Sequence, residues 1–349
     1  MHRLESSIFK QPLLDVIKEL NIQIYVKRDD MSGGPELGGN KIRKLEFLLA
    51  EALEQQSDCV VTIGGEQSNH CRATACAARM VGLEPHLILR TKNIQGDHDL
   101  GLKGNLLFDR FVGSSIYTVT PGEYGRFGQA KIVDNVMNNL QQQGKKPYGI
   151  PVGGSNALGS WGYIHGVDEL MTQITDNNIE HFVFACGSGG TLAGIALGIH
   201  LYHLDKDNRT IPHCHAIGVC DSPEYFYNIL NEIASDMGAE LAEIRTLQEN
   251  LTIHNGKGLG YAISTPEEME FIQQFALDTG IVLDPVYSGK ALYKFVTQII
   301  PSDPERYRGT SFLFWHTGGA LGMYDRDSTL MNSLSNVSKI LKLDLYAIK

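Results

Sequence analysis

The chain has 349 residues, of which 42% are hydrophobic and 20% are charged, and its formal net charge is −10 at pH 7. This composition predicts a globular protein of two domains, and the negative charge without a basic run argues against a nucleic acid or an anionic membrane as a partner. No apolar window approaches the roughly 18 residues of a membrane span, and no apolar signal region follows the start. The six cysteines are too scattered for a disulfide framework. We therefore expect a cytoplasmic protein that acts on small molecules.

The first predicted element with a chemical signature is a helix over residues 41–53, preceded by the favourable N-cap Asn40. Its apolar residues recur at helical spacing: Ile42, Leu45, Leu49 and Leu53. Lys41 and Lys44 project from the same side of its first turn. Cations are disfavoured at the positive end of a helix dipole, so these lysines indicate that an anion or a carbonyl compound binds beside them. An ordinary basic first turn is the alternative explanation.

Further along the chain, apolar runs alternate with helical patterns, which predicts an α/β fold with mainly parallel sheets. We predict strands at residues 59–63, 86–89, 182–185, 215–219 and 312–315. Helices rich in small residues are predicted over residues 70–81 and directly after Thr191. Glycines and prolines concentrate over residues 147–154, which marks a crossing between two domains.

A glycine-rich loop, Gly187-Ser188-Gly189-Gly190-Thr191, lies between a predicted strand and a predicted helix. Backbone N–H groups in such a loop, together with the helix dipole, suit a phosphate group. The dinucleotide-binding fingerprint would need a glycine at Leu192, and a P-loop would need a Gly-Lys-Ser/Thr ending, so NAD and ATP are poor candidates. Tight packing between strand and helix is the other explanation for these glycines.

Five segments together resemble the fold-type-II pyridoxal-phosphate enzymes, which share the tryptophan synthase β fold, and in particular the group of 1-aminocyclopropane-1-carboxylate deaminase and D-cysteine desulfhydrase. They are spread over essentially the whole chain, at residues 38–46, 63–70, 187–191, 283–290 and 316–319. The resemblance implies a small domain of residues 45–155 and a large cofactor-binding domain of residues 1–44 and 156–349. Each would contain an open, twisted, mainly parallel sheet flanked by helices, and the protein would be a homodimer.

The resemblance also implies which residues form the site. Lys41 would carry the Schiff base with the cofactor, pyridoxal 5′-phosphate, and Lys44 would contact its phosphate group. The other implied cofactor contacts are Asn69, Gly187, Ser188, Gly189, Gly190, Thr191, Ser288 and Thr317. The implied substrate-binding residues are Gln67, Ser68, Asn69, His70 and Tyr287, and the implied catalytic residues are Lys41, Ser68, Tyr287 and Tyr261.

Two positions distinguish the relatives within this group. In the deaminases, as the family is known, the residue after the active-site tyrosine is glutamate and the residue after the late histidine is leucine, whereas this chain has Ser288 and Thr317. A carboxylate beside the pyridine nitrogen of the cofactor favours its protonated form and a strong electron sink, and a hydroxyl supports a weaker one. Opening a cyclopropane ring needs the stronger sink, whereas a β-elimination with a good leaving group does not.

Serine and threonine at these positions favour D-cysteine desulfhydrase activity, in which β-elimination converts D-cysteine to pyruvate, hydrogen sulfide and ammonia. We expect Lys41, once released from the cofactor, to abstract the α-proton as general base, while the loop of Ser68 and Asn69 holds the substrate carboxylate. The alternatives are the deaminase, which forms 2-oxobutyrate and ammonia, and a related amino-acid lyase. A non-catalytic pyridoxal-phosphate-binding protein is disfavoured because it would not need Lys41, Ser68 and Tyr287.

Structural explanations remain open for several of these residues. Ser68 can act simply as a helix N-cap, which is compatible with carboxylate binding. Tyr261 and Tyr287 can be buried aromatic residues with satisfied hydroxyl groups. His213-Cys214-His215 could suggest a metal site, but we expect alternate residues of a strand to face opposite sides, and no further ligands cluster nearby in the sequence, so no metal is predicted.

Overall fold

The structure is a computed structural model that describes residues 1–10, 12–92, 100–174, 178–204 and 211–325. The strands in these ranges are β1 (His2–Leu4), β2 (Gln23–Arg28), β3 (Cys59–Gly65), β4 (Glu84–Arg90), β5 (Ser115–Val119), β6 (Pro147–Gly149), β7 (His181–Cys186), β8 (His213–Gly218), β9 (Leu251–Asn255) and β10 (Ser311–His316). They form a six-stranded sheet in the order β1-β2-β10-β7-β8-β9 and a four-stranded sheet in the order β5-β4-β3-β6. Every neighbouring pair is parallel except β1 with β2.

The connections between strands are mostly helical. The α-helices in the described ranges are α1 (Asp15–Glu19), α2 (Gly34–Leu37), α3 (Lys41–Glu54), α4 (Asn69–Met80), α5 (Gly104–Phe111), α6 (Pro121–Phe127), α7 (Gln129–Gln142), α8 (Ala157–Gln173), α9 (Gly190–His203), α10 (Pro223–Asp236), α11 (Leu241–Glu249), α12 (Pro266–Thr279), α13 (Ser288–Lys294), α14 (Ile300–Ser302) and α15 (Pro304–Tyr307). A π-helical segment, Phe295–Ile299, joins α13 to α14. Over the residues that the structure describes, no helix is both long enough and apolar enough to cross a membrane.

Helices cover both faces of the six-stranded sheet. Its central strands β7 and β10 are buried along their whole length, as their nearly continuous apolar sequences require in a parallel sheet covered on both sides. Phe182 and Leu313 pack on one face against α8, α9, α10 and α11. Val183 and Phe312 pack on the other face against α1, α12 and α13. Two apolar cores therefore hold this sheet between two helical layers.

Smaller apolar clusters build the region around the four-stranded sheet. Val60 of β3 packs with α3 and the alanines of α4, and Val61 packs on the opposite face with α7. Leu87 and Leu89 of β4 contact Leu106 of α5 in a further cluster. Small residues let α4 lie close to the sheet, which brings the beginning of this helix to the carboxyl end of β3.

The predicted α/β class with mainly parallel sheets is confirmed. The five predicted strands correspond to β3, β4, β7, β8 and β10, and the predicted helices correspond to α3, α4 and α9. Asn40 occupies the predicted N-cap position of α3, but its side chain forms no hydrogen bond to the helix, and the Asn40 amide donates to Thr191 Oγ1 at 3.0 Å. This hydrogen bond ties the start of α3 to the start of α9.

The two sheets use separate parts of the chain. The four-stranded sheet is built within residues 59–149, and the six-stranded sheet within residues 2–28 and 181–316. The helix α3 runs without interruption from Lys41 to Glu54, so the predicted domain boundary at residue 44 falls inside a helix. The boundaries at residues 44 and 155 stay predictions.

Candidate active site

A cavity of about 370 Å³ lies where the carboxyl ends of strands from the two sheets meet. In parallel sheets this edge is where loops and helix N-termini converge, and it is the usual location of ligands. The predicted site residues in its wall are Lys41, Ser68, Asn69, His70, Gly187, Ser188, Gly189, Thr191, Tyr261, Tyr287 and Thr317. Four other predicted residues do not line it: Lys44, Gln67, Gly190 and Ser288.

Two lysine amines converge on one carbonyl oxygen in the cavity. Lys41 Nζ lies 3.4 Å from Gly153 O, and Lys44 Nζ donates to the same oxygen at 3.1 Å. Burial lowers the pKa of Lys41 to about 8, and burial together with the Lys41 charge lowers the pKa of Lys44 well below its usual value. Within the described residues neither amine has a carboxylate partner, so an anion bound here would compensate their charge.

The turn before Lys41 depends on glycine. Gly39 has φ +115°, and a Cβ at this position would come within 2.9 Å of Thr317 O. The Gly39 N–H donates to Asp29 O at 2.9 Å, and the Asn40 N–H donates to Thr317 O at 3.0 Å. These contacts fix the start of α3 against the end of β10 and so direct Lys41 into the cavity.

The loop between β7 and α9 forms a cradle of N–H groups. Gly189 has φ +88°, which favours glycine, and α9 begins at Gly190. The Gly190 N–H donates to Ser155 Oγ at 3.1 Å, and Ser155 Oγ donates to Ser188 Oγ at 2.8 Å. A Cβ on Gly190 would lie 2.9 Å from Lys44 Nζ, so the buried amine sits directly beside this loop. The start of a 14-residue helix and a lysine together suit a bound anion.

The loop after β3 presents polar groups on the opposite wall. Ser68 caps α4, since the Cys71 N–H donates to Ser68 Oγ at 3.2 Å, so the predicted capping role is confirmed. Asn69 Oδ1 and His70 Nδ1 are buried atoms without a hydrogen-bond partner in the described residues. His70 Nε2 bonds Thr62 Oγ1 at 2.8 Å, and burial keeps the pKa of His70 well below its usual value, so the ring is neutral.

Two tyrosines form a hydroxyl pair beside the cavity. Tyr261 Oη lies 2.5 Å from Tyr287 Oη. Burial raises the pKa of both phenols, so each hydroxyl keeps its proton at neutral pH. Asp284 orients Tyr287 by accepting the N–H groups of Val286 and Tyr287 at 2.9 and 2.8 Å. The pair can therefore donate or relay a proton at a fixed position.

The two predicted hydroxyl positions have different surroundings. Thr317 lines the cavity. Ser288 is fully buried at the start of α13, where its Oγ donates to Asp284 Oδ1 at 2.5 Å and accepts from the Asp284 N–H at 2.9 Å. Of these two residues, only Thr317 reaches the cavity, while Ser288 holds Asp284 and through it Tyr287.

Sequence reasoning missed the rim of the cavity. Arg90, at the end of β4, stacks over the ring of Tyr124 at 4.9 Å, and both line the cavity. Cys220, Asp221 and Tyr225 line it from the loop and helix after β8. The signal that could have found them is their place at the carboxyl ends of predicted parallel strands.

The two histidines of β8 lie on the same face of the strand, in contrast to the prediction from the sequence. The prediction that His213 and His215 face opposite sides is wrong, because residues two apart on a strand share a face, and their ring centroids lie 4.9 Å apart. His215 bonds His254 at 3.0 Å and His181 at 3.2 Å through its two ring nitrogens. No three His, Cys, Asp or Glu side chains among the described residues are arranged to hold a metal.

Comparison with known families identifies the chain. The model of the pyridoxal-phosphate dependent enzyme family matches residues 4–306. The chain belongs to this family. A curated relative from Arabidopsis thaliana, the mitochondrial bifunctional D-cysteine desulfhydrase/1-aminocyclopropane-1-carboxylate deaminase, is 45% identical over 322 residues, which cover 91% of this chain and 77% of the relative.

Solved structures of pyridoxal-phosphate enzymes have the same fold. A crystal structure of a homologue of 1-aminocyclopropane-1-carboxylate deaminase superposes with a TM-score of 0.75 at 32% identity and covers 91% of each chain. The O-acetylserine-dependent cystathionine β-synthase from Helicobacter pylori has a TM-score of 0.60 at 19% identity and covers 91% of each chain, which shows a common fold alone. The expected fold-type-II architecture is thereby confirmed.

The cavity suits the cofactor of the family, pyridoxal 5′-phosphate. An amine with a pKa of about 8 suits its aldehyde, and the N–H cradle at Gly189 and Gly190 beside Lys44 suits its phosphate group. The unpartnered Asn69 Oδ1 can accept a hydrogen bond from a donor group of a ligand in the cavity. The buried positive charge and the chemistry of these groups therefore agree with this family's cofactor.

Proposed function

We propose that this pyridoxal-phosphate enzyme is a lyase that eliminates hydrosulfide from D-cysteine and yields pyruvate, hydrogen sulfide and ammonia. The observation that carries the proposal is the absence of an acidic residue at positions 288 and 317, together with the position of Thr317 in the cavity wall. Asp221, at the rim, is the sole carboxylate among the described residues that line the cavity. A weaker electron sink is sufficient for a substrate whose leaving group is a thiol.

Each part of the reaction has candidate residues in this chain. Bound pyridoxal phosphate supplies an electron sink for the carbanion that forms at Cα. Lys41 attaches the cofactor and then accepts the α-proton at Nζ, for which a pKa of about 8 is well matched to neutral pH. Asn40, Lys44, Ser155 and the N–H cradle at residues 187–191 hold the phosphate group.

The opposite wall binds the amino acid. Ser68 and Asn69, at the N-terminus of α4, hold the substrate carboxylate, because the free backbone N–H groups and the positive dipole at the start of a helix attract an anion. The hydroxyl pair of Tyr261 and Tyr287 lies at the same cavity and delivers a proton to the leaving sulfur. Because His70 is neutral, it adds no positive charge to that of Lys41 beside the amino group of the substrate.

A product assay tests this proposal. The purified, cofactor-loaded enzyme is incubated separately with D-cysteine, L-cysteine and 1-aminocyclopropane-1-carboxylate, and sulfide, keto acid and ammonia are measured. Equal amounts of sulfide and pyruvate from D-cysteine, with little from L-cysteine, are expected. The proposal would be overturned if the enzyme released 2-oxobutyrate from 1-aminocyclopropane-1-carboxylate but no sulfide from D-cysteine.

The second candidate activity is 1-aminocyclopropane-1-carboxylate deamination. The observation that favours it is the bifunctional name of the Arabidopsis thaliana relative, which combines both reactions in one protein. A Thr317→Leu variant separates the two, since leucine is the residue that the deaminases are expected to have here. If deamination is the main activity, Thr317→Leu retains or increases the release of 2-oxobutyrate.

We propose a homodimer in the cytoplasm as the working form of the enzyme. The resemblance to fold-type-II enzymes supports the homodimer, and sedimentation equilibrium of the purified protein tests it. Six free cysteines support a reducing compartment. Fractionation of cells with an antibody against the protein tests the location, since the mitochondrial location belongs to the Arabidopsis thaliana relative.

A further inference from the structure

Arg72 lies outside the cavity lining and connects the segment before Lys41 with the loop that precedes α4. It lies in α4 and is only 2% exposed. Its Nη1 donates to Glu36 O at 2.6 Å, and its Nη2 donates to Gly38 O at 3.1 Å. These carbonyls belong to the segment that leads into Lys41, three residues after Gly38. One guanidinium group therefore holds the backbone that positions the reactive amine.

The third nitrogen of the same guanidinium reaches the substrate side. Arg72 Nε donates to Asn105 Oδ1 at 3.1 Å, and Asn105 is fully buried. Asn105 Nδ2 donates in turn to Gln67 O at 3.1 Å, and the Asn105 N–H donates to Gln67 Oε1 at 2.9 Å. Gln67 directly precedes Ser68, the first residue of the proposed carboxylate site. The side chain of Gln67 is thus used for support and does not line the cavity.

We propose that Arg72 and Asn105 are positioning residues that set the separation between Lys41 and the carboxylate-binding loop. The inference rests on the proposed function only through the roles of Lys41 and Ser68. Arg72 fixes the lysine segment relative to α4, and Asn105 fixes the shape of the loop that begins α4. Together they hold the base and the substrate at the distance that proton abstraction from Cα requires.

Arginine is suited to this position because of its shape. The guanidinium is planar and directs donors to both carbonyls and to Asn105 at once, which the single ammonium of lysine cannot do. Asp109 is buried near Arg72, but neither of its carboxylate oxygens has a hydrogen-bond partner in the described residues. The hydrogen bonds of Arg72 therefore go to backbone and amide oxygens, as expected of a brace between segments.

The test uses alanine as a probe, because it binds like a substrate but has no leaving group. Exchange of the α-proton of D-alanine and L-alanine with deuterated solvent is followed by NMR, and binding is followed by the absorbance of the cofactor. For the holoenzyme of Arg72→Lys, we expect the maximal rate of α-proton exchange to fall at least about tenfold. The apparent Kd for alanine should change less than about threefold. For Asn105→Ala, we expect the apparent Kd to rise about tenfold.

Arg79 provides a matched control on the same helix. It also donates to two carbonyls, Val112 O at 2.9 Å and Gly113 O at 2.7 Å, but on the side away from the cavity. Arg79→Lys should change neither exchange nor binding. Equal exchange rates in Arg72→Lys and Arg79→Lys would overturn the inference. If Arg72→Lys does not fold or bind the cofactor, Asn105→Ala decides, and an unchanged Kd in that variant would overturn it.

This design separates the inference from the proposed function. A parent enzyme that exchanges the α-proton of alanine but releases no sulfide from D-cysteine would overturn the D-cysteine assignment. The exchange and binding measurements on the three variants would still decide whether Arg72 and Asn105 position the base and the loop. Conversely, normal sulfide release with unchanged exchange in Arg72→Lys and unchanged binding in Asn105→Ala would overturn the positioning roles alone.

Discussion

Basic side chains that are partly or fully buried occur in two regions of this molecule, and their surroundings differ. Beside the six-stranded sheet, Arg43 lies 2.9 Å from Asp29, which is itself 1% exposed. At the cavity wall, Lys41 lines the cavity and Lys44 lies behind it, both close to Gly153 O, and no carboxylate in the described part of the chain pairs with either. The first region compensates its buried charge within the protein, whereas the second does not.

The difference indicates which buried charges serve stability and which serve function. A buried cation without a counter-ion costs free energy in the absence of a ligand, and it persists where a ligand supplies the missing charge. The amines of Lys41 and Lys44 therefore indicate a binding site for an anionic molecule, in agreement with a phosphate-bearing cofactor. Substitutions in the two regions should accordingly have opposite effects on stability and on activity.

The largest effect is expected for Lys41→Ala, which removes the reactive amine. Turnover should fall at least about 10³-fold, because both attachment of the cofactor and abstraction of the α-proton are lost. The free energy of unfolding of the apoprotein should not decrease. Steady-state assays and denaturant titration measure the two quantities. Retention of a tenth of parental turnover would contradict the proposed role of Lys41.

A large loss of stability is expected in the other region for Asp29→Ala. Asp29 accepts hydrogen bonds from Arg43, from Tyr163 Oη at 2.8 Å and from Trp315 Nε1 at 2.7 Å. Its removal leaves the buried donors of Tyr163 and Trp315 without an acceptor and leaves Glu169 as the remaining ion-pair partner of Arg43, so the free energy of unfolding should fall by about 3–5 kcal/mol. Urea denaturation measures this change.

The control for Asp29→Ala is Asp15→Ala, which breaks an exposed pair with Lys18 at 3.3 Å. Exposed pairs contribute little, so this variant should lose less than about 1 kcal/mol. Equal losses in the two variants would show that burial of the ion pair at Asp29 does not contribute to the stability of this region.

A smaller, pH-dependent effect is expected from the histidine cluster of His181, His213, His215 and His254. Burial lowers the pKa of His181 and His254 to about 4, so these rings are neutral in the fold while the unfolded chain binds protons near pH 6.5. Stability is therefore fully present above about pH 6.5 and falls as the pH drops from 6.5 to 4.

Replacing His215 with phenylalanine tests the origin of this acid sensitivity. His215→Phe should make the loss between pH 6.5 and 4 smaller, whereas replacing the exposed His2 with glutamine should leave it unchanged. Thermal unfolding as a function of pH measures both. A parental protein with constant stability over this range would contradict the neutral state of the cluster.

Much of this architecture could be predicted from the sequence. The apolar runs of β7 and β10 and the 3.6-residue spacing of α3 are local signals, and they were sufficient to predict these three elements. The motif around Lys41 and the glycine-rich loop at residues 187–191 led to the correct family because both are contiguous in the sequence. Local patterns therefore located the strands, the lysine and the loop.

The remaining parts depend on contacts between distant segments. The amide of Asn40 was expected to cap α3 but bonds Thr191, 151 residues further along the chain. The hydroxyl of Ser288, a residue predicted to contact the cofactor, bonds Asp284, and this partner was not predicted. Arg90 and Asp221 meet at the cavity rim only because two separate sheets converge there. No spacing within the sequence encodes such partners.

The smallest expected effect sharpens the comparison between the two regions most directly. Lys44→Met removes a fully buried amine next to the cavity, and Lys27→Met removes a buried amine that forms an ion pair with Glu169. The cavity variant should lose about tenfold in cofactor affinity, because a charged hydrogen-bond donor to the phosphate group is missing. Its apoprotein should be as stable as the parent or more stable, since an uncompensated charge is removed.

Lys27→Met should show the opposite combination. Its loss leaves Glu169 with one cation fewer, so stability should decrease by about 1 kcal/mol, while cofactor affinity stays at the parental value. Fluorescence titration with pyridoxal phosphate and urea denaturation of both apoproteins measure the four quantities. If Lys44→Met destabilised the apoprotein as much as Lys27→Met, the Lys44 charge would already be compensated by the protein, and the buried amines of the cavity would not mark a ligand site.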